Sequence, residues 1–129
     1  MTPLVDGFDV LVVDDNDDAQ EMFACALEAE GATVHAAAST GDAYELLRAR
    51  CPGVVISDLA MPGDDGYAFL PCARQICGAL PAILVSGYRR AYDIQRALDA
   101  GFDCDLAKPV EINELAAAVF RFASRAPET

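Results

Sequence analysis

The chain is short of positive charge. Nine Lys+Arg stand against 21 Asp+Glu in 129 residues, a formal net charge of −12. Nucleic-acid binding needs a basic surface to meet phosphates, and docking on anionic lipid needs the same. Neither is expected. Long apolar runs are also missing: none reaches the roughly 18 residues of a membrane span. The opening Met1-Thr-Pro-Leu-Val-Asp-Gly-Phe-Asp9 has no basic start and carries acids early, unlike a secretory signal. A cytoplasmic soluble domain is the expectation, and the length suits one domain.

Metal-binding thiol motifs are missing as well. Cysteines stand at 25, 51, 72, 77 and 104, with no C-x-x-C pair and only His35 to assist. Cys72 and Cys77 are five apart, about 140° around a helix, so they share no face. A zinc site is not expected, and reduced, mostly buried thiols are. Lysine is nearly absent too: Lys108 is the only one.

What is present alternates between apolar β-branched runs and helix-like segments. Val10–Val13, Val54–Ile56 and Ala82–Val85 read as strong strands, 32–37 and 103–107 as weaker ones. Helices are expected over 17–30, from Ser39 onward, and over 67–77, 91–100 and 111–124. Asn16 and Ser39 suit N-caps, with Asp17 and Asp18 at the positive end of the first helix dipole. Gly31 and Gly101 suit helix stops. Pro71 falls inside the third helix, which predicts a late start or a kink. The order βαβαβαβαβα implies right-handed crossovers and a parallel sheet covered on both faces. Ligands of such sheets bind beyond the carboxyl ends of the strands.

Those ends carry the chemistry. The first strand runs into Asp14-Asp15, the third ends at Asp58, the fourth reaches Ser86, and the fifth precedes Lys108-Pro109. Clustered carboxylates repel unless a cation sits among them. An oxygen-only ligand set suits a hard divalent ion, Mg²⁺ first of all. With an ammonium and a hydroxyl alongside, the set forms a cradle for a phosphoryl group, and a carboxylate there can be the nucleophile. Each member alone is common turn or cap chemistry; the conjunction at four strand ends is what points to function. Seven acids, Asp14, Asp15, Asp17, Asp18, Asp58, Asp64 and Asp65, fall in two loops at that edge.

The segments Val12-Val-Asp-Asp-Asn16, Ser57-Asp-Leu-Ala-Met-Pro62 with Gly66, Val85-Ser-Gly87 and Leu106-Ala-Lys-Pro-Val110 resemble the motifs of the response-regulator receiver domain. The resemblance runs from about Asp9 to Phe122 and is closest in look to receivers of hybrid histidine kinases. It implies a flavodoxin-like (βα)5 fold, a doubly wound five-stranded parallel sheet in the order 2-1-3-4-5. The whole of 1–129 would be one receiver domain, with its core over about 9–122 and 123–129 as a tail or the start of a linker.

The resemblance also implies roles. Asp58 would be the phosphoacceptor in a two-component or phosphorelay system. Mg²⁺ (or Mn²⁺) would be held by Asp15, Asp58 and the backbone carbonyl of Ala60, with Asp14 acting largely through water. Ser86 would hydrogen-bond the phosphoryl group, and Lys108 would pair with it, aimed by a cis peptide before Pro109. Partners would be a histidine kinase or histidine phosphotransfer protein and a downstream effector. The protein would be a switch rather than a turnover enzyme, with at most slow self-phosphorylation and self-dephosphorylation.

The sequence departs from the family three residues before the lysine, where receivers usually carry an aromatic that swings inward. Here Asp105 stands, and an acid would enter an apolar slot only at a large desolvation cost. The alternative reading is therefore a degenerate receiver that docks independently of phosphorylation. Ala60 and Tyr88 occupy positions that tune phosphoryl lifetime in the family, and Arg89-Arg90 open the fourth helix, whose exposed face usually binds partners. A small aspartyl phosphohydrolase is disfavoured because Ala60 stands where its second Asp would. A flavin carrier is disfavoured because the loop after the first strand lacks a Ser/Thr/Gly-rich cradle. Cys77 and Cys104 are expected as core thiols, and His35 as a strand-edge surface residue.

Overall fold

The computed structural model describes residues 7–58, 66–86, 91–108 and 110–123, with the backbone only at 66, 67, 86 and 91–94. Five strands alternate with five helices: β1 Asp9–Val13, α1 Asp17–Ala29, β2 Thr33–Ala37, α2 Thr40–Ala49, β3 Val54–Asp58, α3 Gly66–Cys77, β4 Ala82–Ser86, α4 Ala91–Asp99, β5 Cys104–Ala107 and α5 Ile112–Ala123. The strands form one parallel sheet in the order β2-β1-β3-β4-β5. This is the expected doubly wound, flavodoxin-like fold.

Two apolar cores follow from the period-two alternation of the central strands. Val10, Val12, Val54, Ile56, Ile83 and Val85 face α1 and α5, where Phe23, Leu27, Leu115 and Val119 meet them. Leu11, Val13, Val55 and Leu84 face the other way, against Leu47 of α2, Phe69, Leu70 and Ala73 of α3, and Ala97 of α4. Strands covered on both faces must be apolar throughout, which is why β1, β3 and β4 read so clearly. β2 is an edge strand, and His35 on it is exposed, as expected.

The caps are also as expected. The Asn16 side chain accepts the Ala19 N–H at 2.9 Å, and Ser39 Oγ accepts the Asp42 N–H at 3.2 Å. Gly31 and Gly101 follow α1 and α4 at positive φ. The third helix differs. It begins at Gly66, so Pro71 lies beyond its first turn and no late start occurs. Pro71 is exposed, and the helix runs through it although its ring nitrogen has no N–H to donate.

The cysteines also differ. Cys51 and Cys77 are joined in a disulfide, while Cys25 and Cys72 are exposed thiols rather than buried ones. Cys77 is thus no core thiol. Cys104 is half-buried, and burial, then the neighbouring Asp105 charge, pushes its thiol up from the ordinary value of 9.0. The pairing joins the segment entering β3 to the end of α3, which the fold brings together although 26 residues separate them in sequence.

Candidate functional site

Three short segments at the carboxyl edge of the sheet converge. Asp14 leaves β1, Asp58 ends β3, and Lys108 leaves β5. Because β1 and β3 are neighbours in register, with Val13 beside Ser57, their next residues emerge side by side. Ligand oxygens of Asp14, Asp15 and Asp58 all lie within 4.8 Å of one another. Asp14 is buried, Asp58 half-buried and Asp15 exposed. Lys108 reaches in from the far side, with Nζ 3.4 Å from Asp58 Oδ1 and 3.6 Å from Asp14 Oδ2.

Asp14 is held on several sides. Its Oδ1 accepts the Asn16 N–H at 2.9 Å, its backbone N–H donates to the Ala37 carbonyl at 3.0 Å, and its carbonyl accepts from Gln20 Nε2 at 3.1 Å. One oxygen thus serves the chain turning into α1 and the other faces Lys108. Gln20 was not singled out from sequence; its place one turn after the Asn16 cap is the signal that could have found it. Ser57 Oγ donates to the Asp58 carbonyl at 3.0 Å, fixing the end of β3.

The electrostatics decide what the pocket wants. At an effective dielectric near 20, each carboxylate pair at this range repels by about 3 kcal/mol before screening, and each lysine contact attracts by about 4–5 kcal/mol. One ammonium therefore roughly offsets the repulsion but leaves an excess of negative charge. A divalent cation is the natural complement. Two ligands of one Mg²⁺ stand at most about 4.2 Å apart, close to the spread seen here. Among the described residues the donors are all oxygen, without His or thiolate, and fit Mg²⁺ or Mn²⁺.

Ser86 is the last residue of β4, beside Ala107 of β5, so its backbone reaches the same edge. The Ser86 side chain, Ala60, Asp64, Asp65, Gly87, Tyr88, Arg89, Arg90 and Pro109 lie outside what is described. Asp105 is half-buried on β5, opposite Leu84 of β4. Phe102 is buried in the α3–α4 side of the core.

A doubly wound parallel sheet that gathers three carboxylates and a lysine at its carboxyl edge places the chain among the open α/β domains that carry their site there. A family profile described as the response regulator receiver domain matches residues 10–120. The chain belongs to that family. A 14.6 kDa protein of Leptolyngbya boryana is 40% identical over 109 residues, covering 83% of each chain. The sensor histidine kinase RcsC of Salmonella typhi is 32% identical over 124 residues, covering 96% of this chain and 13% of that kinase. The chain thus spans a small part of such larger relatives. Among solved structures, the Francisella response regulator 1452 receiver domain superposes with a TM-score of 0.87 at 26% identity, covering 94% of this chain and 100% of that one. The receiver domain from Clostridium thermocellum gives 0.85 at 26% identity, covering 92% and 95%.

Proposed function

We propose that this receiver is phosphorylated on Asp58 by a phosphohistidine of a histidine kinase or histidine phosphotransfer protein, and that the modification switches contacts with an effector. An Asp58 carboxylate oxygen attacks phosphorus in line, the N–P bond breaks, and the imidazole leaves with a proton. Asp15, Asp58 and the Ala60 carbonyl would hold Mg²⁺ (or Mn²⁺), with Asp14 acting through water. When bound, the ion would neutralise charge on the phosphoryl oxygens. Lys108 pairs with the incoming anion, and Ser86 hydrogen-bonds it. The observation that carries this reading is Lys108 Nζ within 3.4 and 3.6 Å of two carboxylates, 50 residues and more away in sequence. The protein is a switch, not a turnover enzyme, in a cytoplasmic setting, with residues 1–129 forming one receiver domain.

Asp105 favours a second reading, in which the domain docks without phosphorylation. A half-buried acid on β5 stands where the family usually carries an aromatic that swings inward. Two-dimensional amide spectra with and without Mg²⁺ and beryllofluoride separate the two. Phosphorylation-linked switching predicts shifts around Asp14, Asp58 and Lys108 that extend into β5. Spectra unchanged on addition would favour docking alone.

A further inference from the structure

The Cys51–Cys77 bridge is informative chiefly through its place in the chain. Cys51 lies three residues before β3, and Cys77 is the last residue of α3. The bridge therefore closes a covalent ring over 51–77 that contains β3, with Asp58 at its end, and α3. It sits at the edge of the sheet opposite the carboxylates. The two Cα atoms are 5.7 Å apart, the ordinary span for a disulfide.

The bridge is also accessible. Cys51 is exposed and Cys77 half-buried. Both line an open cleft of about 650 Å³ with Arg50, Pro52, Gly78 and Pro81. Arg50 also lines the cleft, its guanidinium paired with Asp9 Oδ2 at 2.7 Å. Both sulfurs lie near the Leu47 carbonyl oxygen, at 3.7 and 3.8 Å, so either thiol has an acceptor when the bridge opens. Exposed disulfides are the exchangeable ones, whereas shielded ones persist as structure.

We propose that Cys51–Cys77 is a reversible thiol–disulfide exchange site whose co-reactant is a low-molecular-weight thiol and its disulfide. In reduction, the co-reactant thiolate attacks Cys51 Sγ, the Sγ–Sγ bond breaks, and Cys77 leaves as a thiolate that takes a proton from water. A second co-reactant thiolate then attacks the co-reactant sulfur of the mixed disulfide. Cys51 departs as a thiolate and is protonated. The protein gains two electrons and two protons, and two co-reactant thiols become one disulfide. Oxidation runs the same steps backwards. Nothing in this proposal depends on the phosphoryl chemistry of Asp58.

The test uses the full chain carrying Cys25→Ser and Cys72→Ser, which removes the two exposed thiols. The protein is equilibrated in mixtures of reduced and oxidised glutathione, quenched in acid, denatured, alkylated and weighed intact. The bridged form takes one alkyl group, on Cys104, and the open form takes three. The expected result is a switch from one to three groups across the glutathione ratios, with a cooperative melting transition at both ends. One group at every ratio, even in large excess of reduced glutathione, would mean a locked structural bond and overturn the proposal. Three groups at every ratio would overturn it too. If the doubly substituted chain fails to fold, peptide-resolved alkylation of the unaltered chain reads the same switch at Cys51 and Cys77.

Discussion

Arg74 ties together three segments that only the fold brings close. Its Nε and Nη2 donate to the Leu80 carbonyl at 3.1 and 2.8 Å, and its Nη1 donates to the Gly101 carbonyl at 2.8 Å. Nη2 also faces Asp103 Oδ2 at 3.4 Å, and that oxygen accepts the Ala82 N–H at 2.9 Å. Charge-assisted bonds to fixed carbonyls are worth more than a surface ion pair. Gly101 makes the approach possible. Its φ is +102°, and a Cβ there would stand 2.5 Å from Arg74 Nη1. Gly101→Ala should therefore cost about 1–2 kcal/mol from the backbone alone, and more if Arg74 is displaced. Urea unfolding measures it; an unchanged midpoint would show that neither the φ nor the clamp matters. Sequence reading recognised Gly101 as a helix stop but not the Arg74 clamp. A lone arginine on a helix carries no sign of carbonyls that lie six and 27 residues away.

Among the elements, α3 is where local sequence rules and the fold disagree. The apolar positions Phe69, Leu70, Ala73 and Ile76 place it against the sheet as expected. Their burial holds the helix through Pro71, which lacks an N–H for the carbonyl four residues earlier. Packing overrides propensity here. Pro71→Ala restores that bond at an exposed position, and the gain exceeds the added freedom of the unfolded chain. The expected stabilisation is about 1–2 kcal/mol, read as a rise in the urea midpoint; a fall would mean that the proline is accommodated without loss. The other elements were legible because their signals are local: β-branched runs, Asn16 and Ser39 caps, Gly31 and Gly101 stops. The disulfide was not, because spacing reports only neighbours on one element, whereas Cys51 lies in the segment before β3 and Cys77 at the end of α3.

At the scale of the molecule, the parallel order of the strands turns separate sequence signals into one site. Asp14 follows β1, Asp58 ends β3 and Lys108 follows β5, and the 2-1-3-4-5 order sets those ends along one edge. That much was readable, because a strand end is a local event and the alternation of strands and helices fixes which edge it joins. The distances and the division of labour at Asp14, one oxygen to Asn16 and one to Lys108, come only from the folded chain. The net charge of −12 gains meaning here too: part of it is gathered at that edge, where three carboxylates could hold a divalent cation. Intact-mass analysis after incubation with acetyl phosphate tests this most directly. The account predicts a gain of ~80 Da, one phosphoryl group, in the presence of Mg²⁺, its loss on chelation, and none in Asp58→Asn. A gain that persists without Mg²⁺, or that appears equally in Asp58→Asn, would contradict it.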